Sequence, residues 1–408
     1  MNTLNDNLTV LKYGGSSVAT IDKIKEVAKY LKYRLEKNGK LVIVVSAMGD
    51  TTDILLDNIK QITKNPSDEH VASLLSTGEQ QTISYLAMAL NDLGIQAKPL
   101  TGYQAGIMTT PDNMKSTIAS IESAKLLALL EDNDVLVIAG FQGINDKNEI
   151  TTLGRGGSDT TATAIAASLN CPCEIYTDVS GIFVTDPRMY SDAKKLDMIS
   201  YQEMMEMAFL GANVIETRSI NIAMNYNIPL YIAKTLSKEK GTWIVSDENL
   251  LEKHIATGIT LDEEVIQVNI KYGAYDPKLT KSIFSLLERN NISIDMISQT
   301  ESEEDNYYTF TAKLEDKRRL TKTILTLKKD YSEIEVSLKE DFVKVSVIGA
   351  GMMDTPGVIS RIYQTVIEND IRIYQISTTG ISISCLVKQD EGEKATRLLY
   401  EEFALEKE

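Results

Sequence analysis

Apolar positions change their spacing along this chain, and the change divides it. Leu8, Val10 and Leu11 read as a strand, while Ile21, Ile24, Val27, Ala28, Leu31 and Leu35 recur at helical spacing and put one apolar stripe on a helix. Lys40 to Ser46 and Val135 to Gly140 are continuous apolar runs, which suit strands buried on both faces of a mainly parallel sheet. Helical patterns at Glu79 to Leu93 and Ser123 to Leu130 lie between and beside them. Further strands are predicted at Glu174 to Thr177, Pro229 to Ala233 and Thr242 to Val245. Strands alternating with helices up to about residue 245 predict an α/β sandwich, whose ligands gather at the carboxyl ends of the strands.

Beyond the polar segment Ser246-Asp247-Glu248-Asn249, which reads as a linker, the texture changes. The run from Asn290 to Thr300 matches the run from Asn369 to Thr379 at Asn, Ile, Ile, Ile, Ser and Thr, with a constant offset of 79 residues. The same offset aligns Val268 with Val347, Pro277 with Pro356 and Ile283 with Ile362. Two copies of one small unit are the economical reading. In the first copy strand, helix, strand, strand and helix are predicted at Val265 to Ile270, Leu279 to Asn290, Ile294 to Gln299, Tyr307 to Leu314 and Lys317 to Lys328. The second uses Val343 to Ile348, Val358 to Asn369, Ile371 to Ser377, Ser382 to Val387 and Glu391 to Phe403. That order belongs to ferredoxin-like βαββαβ modules.

A length of 408 residues suits two or three domains, and a hydrophobic fraction of 43% with 25% charged residues is ordinary for globular proteins. The formal charge of −16 argues against general nucleic-acid binding, so any anionic ligand must be held by a local basic pocket. The first residues are polar, and no apolar run approaches the ~20 residues of a membrane helix, so a cytoplasmic protein with no membrane partner is expected. Cys171, Cys173 and Cys385 lack zinc spacing and read as reduced thiols. The only histidines, His70 and His254, lie in polar surroundings without a ligand cluster, so no metal site on His or Cys is expected.

Three clusters carry chemistry. Lys12-Tyr13-Gly14-Gly15-Ser16-Ser17-Val18 falls at a strand-to-helix turn, where free backbone N–H groups and a helix dipole favour an anion. It is not a Walker A loop, because Lys12 precedes the glycines instead of following them. Gly154-Arg155-Gly156-Gly157-Ser158-Asp159-Thr160-Thr161 leads into an alanine-rich helix with Ser158 or Asp159 expected as its N-cap. There Arg155 can fork onto a carboxylate. The third cluster, from Tyr176 to Arg188, begins at a strand end and finishes in an Asp186-Pro187 turn.

Together with Val45-Ser46-Ala47-Met48-Gly49 and Ser76-Thr77-Gly78-Glu79, these clusters resemble, in order, the motifs of the aspartate kinase family. The paired repeats resemble the ACT modules that follow the kinase domain in such enzymes. The resemblance implies a three-layer αβα amino-acid-kinase domain with a mainly parallel sheet at 1–246, then two ferredoxin-like ACT regulatory domains at 265–340 and 341–408. Residues 247–264 form a linker, and their Ile255 to Thr260 strand is open to assignment to the second module, since the family builds one module around the other.

Carried over position by position, the resemblance makes Lys12 and Asp159 the catalytic pair, with Lys12 on the transferring phosphate and Asp159 organising Mg²⁺ and the phosphates. Ser46, Thr52, Glu79, Arg155, Gly156, Gly157 and Ser158 correspond to aspartate contacts, Arg155 to the α-carboxylate and Glu79 to the ammonium group. ATP falls to Lys12, Tyr13, Gly14, Gly15, Thr177, Asp178, Phe183, Arg188, Asn213 and Val214. Phe183 replaces a usual Tyr, and Asn213 replaces a usual Lys near the nucleotide. Asp276, Asp295, Gln299 and Thr378 are the candidate effector contacts, with lysine, threonine or both as the effector. In the second module Pro356-Gly357 starts the helix, where the first has Pro277-Lys278. A homodimer or larger homo-oligomer through the ACT modules is implied.

The chemistry suits a chain with two histidines. A β-carboxylate, which ordinarily titrates at ~3.9, is already an ionised nucleophile at neutral pH, so no general base is required. What is required is charge neutralisation and in-line positioning. Lys12→Ala and Arg155→Ala should each abolish most turnover and leave the fold intact. Two rivals remain open at this point: a kinase of the same fold for glutamate or N-acetylglutamate, and an amino-acid sensor that keeps the kinase domain as a scaffold. Glu79 favours a free amine, and only Asn213 motivates the sensor.

Overall fold

The computed structural model describes residues 4–5, 7–212, 214–249, 254–273, 276–300, 306–352 and 355–403. Its contacts divide the chain into two compact units. The first comprises Met1–Ile182, Lys195–Ala208 and Asn213–Leu251; the second comprises Phe183–Lys194, Phe209–Ala212 and Glu252–Glu408.

An eight-stranded sheet forms the first unit, in the order Met198–Ser200, Thr242–Val245, Leu230–Lys234, Cys173–Thr177, Leu8–Tyr13, Lys40–Val45, Val135–Ala139, Ala97–Leu100. Every neighbouring pair is parallel except Leu230–Lys234 with Thr242–Val245, which is antiparallel. The central strands are buried along their length, as their unbroken apolar runs require. Alternation of side chains splits them between two faces. Leu11, Tyr13, Leu41, Ile43, Val45, Val135 and Val137 join one core cluster with the helices Ile21–Asn38 and Thr77–Asp92. The helix Gly157–Leu169 covers the opposite face of the Leu8–Tyr13 strand, beside the helix Thr217–Tyr226. Its buried Ala162 and Ala166, one turn apart on the face that carries Asp159, allow close approach to the sheet. A second sheet of four short strands, Ile118–Ile121, Ile107–Thr109, Gln142–Ile144 and Ile150–Thr152, had no clear apolar signature because its strands span only three or four residues.

The second unit contains both repeats. The first repeat forms a sheet ordered Ile294–Thr300, Asn306–Lys313, Val265–Tyr272, Glu335–Lys339, and the second a sheet ordered Gly258–Asp262, Phe342–Ile348, Ser382–Lys388, Gln375–Thr378. All pairs are antiparallel. Glu335–Lys339 completes the first module in sequence order. The equivalent edge of the second is Gly258–Asp262, which precedes the first module in the chain. The strand expected at Ile371 to Ser377 is shorter, Gln375–Thr378, because Asp370 turns back on the preceding helix with φ +62. Its repeat partner Asn291 does the same with φ +54. The local bonds also repeat: Ile292 N–H donates to Leu287 C=O at 3.0 Å and Ile371 N–H to Val366 C=O at 3.1 Å.

The two module helices start differently. Pro277–Arg289 is capped by Asp276, whose Oδ1 accepts from Lys278 N–H at 2.8 Å, with Pro277 in the first turn. Val358–Ile367 follows Gly357 in the left-handed region at φ +90, with no side-chain cap. Lys278 is tolerated where the second copy needs Gly because the first copy has no left-handed residue there. No helix among the described residues is long and apolar enough to cross a membrane.

Candidate active site

Strand register assembles the site. Tyr13 pairs with Val45 and with Tyr176, and Val45 pairs with Ala139, so residues 14, 46 and 140 leave the sheet side by side, next to Thr177 at the end of its strand. Three backbone bonds bind these exits together. Gly14 N–H donates to Tyr176 C=O at 3.2 Å, Ser46 N–H to Tyr13 C=O at 3.2 Å and Gly140 N–H to Val45 C=O at 3.0 Å. This is the carboxyl edge at which a parallel sheet collects ligands.

Parity then decides where Lys12 points. Leu11 and Tyr13 face one side, so Lys12 faces the Gly157–Leu169 helix, where its Nζ lies 2.6 Å from Asp159 Oδ1. Both groups are largely buried. Asp159 sits in the first turn of that helix, which brings a helix N-terminus to the lysine. The glycines themselves lead into a short 3₁₀ turn, Gly15–Val18, and the following helix starts only at Ile21 with Thr20 as its cap. The helix dipole at Lys12 therefore comes from a segment about 150 residues further along the chain. A Cβ on Gly15 would stand 2.8 Å from Ala47 C=O, and one on Gly14 would stand 3.4 Å from Lys12 Nζ. The turn is closed to side chains but leaves its backbone available to an anion.

Glu79 lies in the first turn of Thr77–Asp92 and is 3% exposed. Its Oε1 accepts from Ala47 N–H at 3.1 Å, whereas its buried Oε2 has no hydrogen-bond partner among the described residues. Burial raises its carboxyl pKa to about 7, opposed by bonds from backbone N–H groups. An unpartnered buried carboxylate oxygen suits a cationic ligand. Ala47 thus touches both the amine-reading candidate and the phosphate turn.

The 154–157 turn differs from the expected pattern. The N-cap of its helix is Gly156, in the left-handed region at φ +64 and without a side-chain cap bond, not Ser158 or Asp159. Asp159 lies in the first turn and is committed to Lys12. Ser158 is buried against Gly140, where a Cβ would stand 2.7 Å from its Oγ. Arg155 is exposed and makes no hydrogen bond or ion pair among the described residues. Ser46 and Thr52 are half-buried, Ser46 just past its strand and Thr52 in the first turn of Thr51–Ile62.

A buried lysine at a glycine turn, a buried carboxylate with one unpartnered oxygen and an exposed, unpartnered arginine are the chemical groups of this unit among the described residues, and comparison shows which family carries them. The amino acid kinase family matches residues 7–234, and the ACT domain family matches residues 345–403. Aspartokinase 2 of Bacillus subtilis is 40% identical over 403 residues, covering 98% of each chain. The chain belongs to the aspartate kinase family. The aspartate kinase of Synechocystis superposes with a TM-score of 0.83 at 26% identity, over 98% of this chain and 99% of that one. Aspartokinase III of E. coli, solved with aspartate and ADP, shares the fold with a TM-score of 0.79 at 24% identity, over 97% and 99% of the two chains.

The remaining candidates of this aspartate kinase are spread further. Thr177 Oγ1 donates to Asp178 Oδ1 at 3.1 Å, with Asp178 exposed beyond the strand end. Phe183 and Arg188 belong to the second compact unit, in a segment where Val184 C=O accepts from Ile259 N–H at 2.7 Å and Tyr190 packs on Tyr400. Arg188 forks onto Asp186 at 3.0 and 2.6 Å and holds that carboxyl below its usual range. Val214 is half-buried, and Asn213 lies outside the described residues. Asp295 Oδ2 is 2.7 Å from the buried Lys344 of the second module, and Gln299 Nε2 donates to Tyr272 OH at 3.4 Å. Thr378 lines a cavity of about 360 Å³ with Pro356, Gly357 and Gly380.

Several residues escaped the sequence. Arg34 reaches under the phosphate turn to pair with both oxygens of Glu174 at 2.7 Å, and Glu174 accepts from Tyr176 OH at 2.8 Å. Tyr176 stacks on Tyr13 with ring centres 5.2 Å apart. Phe141 holds φ +69, an unusual conformation for a bulky residue, with its N–H donating to Thr161 Oγ1 and its C=O accepting from Leu153 N–H. Nothing in the spacing of Arg34 or the type of Phe141 announces these roles.

Proposed function

We propose that the enzyme transfers the γ-phosphoryl group of ATP to the β-carboxylate of L-aspartate, giving 4-phospho-L-aspartate and ADP. The observation that carries this reading is the double use of Ala47: its N–H holds Glu79 Oε1, and its C=O closes against Gly15. A substrate ammonium on Glu79 Oε2 then lies beside the turn that holds the phosphates, and an N-acetylated substrate would leave that oxygen without a charge partner. Arg155 forks onto the α-carboxylate.

One β-carboxylate oxygen attacks the γ-phosphorus in line, the bond to the bridging oxygen breaks, and ADP departs. The nucleophile is ionised at neutral pH, so the fixed task of the protein is electrostatic. Lys12 moves from Asp159 alone to a position shared with the transferring phosphoryl oxygens, while the Gly14 and Gly15 backbone approaches them without steric hindrance. Mg²⁺, when bound, neutralises phosphate charge. Asp159 fits this ion because its carboxylate is already at the phosphate turn. Tyr13 supports that turn from below, Thr177, Asp178, Phe183, Arg188 and Val214 serve the nucleotide, and Asn213 leaves Lys12 a larger share of the phosphate charge.

The reaction opens the synthesis of lysine, threonine and methionine in the cytoplasm, with feedback by lysine or threonine through the ACT modules of a homo-oligomer. Asp276, Asp295, Gln299 and Thr378 are its candidate effector contacts. Phosphorus NMR of enzyme, Mg-ATP and L-aspartate tests the reaction. An aspartate-dependent acyl-phosphate signal appearing with ADP is expected; ATP left intact or hydrolysed only to inorganic phosphate would overturn the reading.

A further inference from the structure

The 154–157 turn is closed by one backbone bond, Gly157 N–H to Gly154 C=O at 3.1 Å, and Gly156 C=O accepts from Asp159 and Thr160 N–H at 3.0 and 3.2 Å, but no side chain of its own braces it. Gly154 and Gly156 both occupy the left-handed region, at φ +79 and +64, and Gly157 adds no side chain. Glycines give such a turn access to many conformations, whereas binding a substrate carboxylate needs one. Arg155 cannot anchor the turn, being exposed and without a partner among the described residues.

The restraint comes from the first turn of Thr217–Tyr226. Arg218 donates from Nη1 to Leu153 C=O at 2.7 Å and from Nη2 to Ser116 C=O at 3.0 Å. Leu153 immediately precedes the turn. Ser116 is buried, and its own N–H donates to Thr152 C=O at 3.0 Å, so the guanidinium fork closes a bracket around the turn's entry. On the other side Glu216 packs over Gly156, where a Cβ would stand 2.6 Å from that of Glu216. A planar fork spans two carbonyls from two nitrogens at fixed spacing, whereas a lysine must reach both from a single, freely rotating ammonium.

We infer that Arg218 is a positioning residue for Arg155, fixing the carboxylate-binding geometry of the 154–157 turn and so selecting how tightly aspartate is held. The inference rests on the reading of Arg155 as the α-carboxylate contact. Steady-state kinetics of Arg218→Gln, Arg218→Lys, Arg155→Ala and the double variant Arg155→Ala/Arg218→Gln, each with its melting temperature, separate the two. Arg218→Gln should raise the KM for aspartate about tenfold and leave that for ATP within about twofold. Arg218→Lys should recover part of the loss. The double variant should be no worse for aspartate than Arg155→Ala alone, because the clamp has nothing left to position. If Arg218→Gln melts below the assay temperature, Arg218→Lys carries the same KM split.

An unchanged aspartate KM in Arg218→Gln, beside a raised one in Arg155→Ala, would overturn the inference alone. Multiplying effects in the double variant would also overturn it, as would equal losses for aspartate and ATP that follow the melting temperature. An unchanged aspartate KM in Arg155→Ala would overturn the site reading and this inference with it.

Discussion

The two glycine-rich turns of the kinase unit present their cations in opposite ways. At 12–15 the cation is buried and already paired, Lys12 with Asp159 at 2.6 Å, and the turn rests on stacked Tyr13 and Tyr176. At 154–157 the cation is exposed and unpaired among the described residues, and two left-handed glycines set the path. The difference matches the task proposed for each turn. A phosphate turn works by preset charge in a water-poor site, where reorganisation would be expensive. A turn that admits a small carboxylate keeps its arginine hydrated until the ligand arrives, and its geometry is supplied from outside by Arg218.

The contrast is most exposed to failure at Lys12. Lys12→Ala should lower turnover about 10³-fold, as loss of a group aimed at developing charge does. It should also lower stability by about 3 kcal/mol, because Asp159 is left charged and unpaired in a buried position. The expectation from sequence of an intact fold is therefore replaced by a sharper one. Lys12→Ala/Asp159→Asn should regain the melting temperature without regaining turnover. Near-native turnover in a folded Lys12→Ala protein would break the comparison. Arg155→Ala is the opposite case: kcat/KM for aspartate should fall about 100-fold while the melting curve stays within experimental error, since an exposed, unpaired side chain contributes little to stability.

Glu79 lies beside the 12–15 turn through Ala47 and should make aspartate binding depend on pH. Its pKa of about 7 lies above the ordinary value of 4.5 because burial disfavours the carboxylate. Only the ionised form attracts an ammonium, so the KM for aspartate should climb as pH falls below about 7, approaching tenfold per pH unit. Stability runs the other way. A carboxyl group with a raised folded pKa contributes fully below about 4.5 and loses that contribution as pH rises towards 7, a difference of roughly 3 kcal/mol. Glu79→Gln should therefore flatten the pH profile of the KM, raise the KM itself, and melt higher than the parent at pH 8. The smallest effect belongs to Tyr13, whose buried hydroxyl has no partner among the described residues. Tyr13→Phe should leave turnover unchanged and raise stability by up to about 1 kcal/mol, measured by denaturant titration.

Much of this molecule was legible as pattern. The unbroken apolar runs at Lys40–Val45 and Val135–Ala139 suited buried parallel strands and form them, and the 79-residue offset reappears in the backbone, with Asn291 and Asp370 both at positive φ. The 12–15 turn was legible as a break after a strand, since Gly14 and Gly15 follow an apolar run. What stayed hidden depends on contacts between distant segments. Arg218 opens an ordinary amphipathic helix and shows its purpose only once Leu153 and Ser116 are beside it. The pairing of Arg34 with Glu174 spans 140 residues, and nothing local in either element demands it. The Gly156 cap was missed because side-chain capping was expected where Asp159 had already been drawn to Lys12. The edge strand Gly258–Asp262 lies before the module it completes; the repeat alone does not suggest that order, but the family resemblance left the Ile255 to Thr260 strand open to the second module, and it pairs there.

One site is assigned both tasks, reading a free amine with Glu79 and delivering a phosphoryl group past Lys12. Trapping the acyl phosphate with hydroxylamine tests that assignment directly, using Mg-ATP with L-aspartate, L-glutamate, N-acetyl-L-aspartate and succinate in parallel. Hydroxamate should form rapidly from L-aspartate, and at least about 100-fold more slowly from the two acids that lack an ammonium group. Equal rates from N-acetyl-L-aspartate or succinate, or no hydroxamate from L-aspartate, would contradict it.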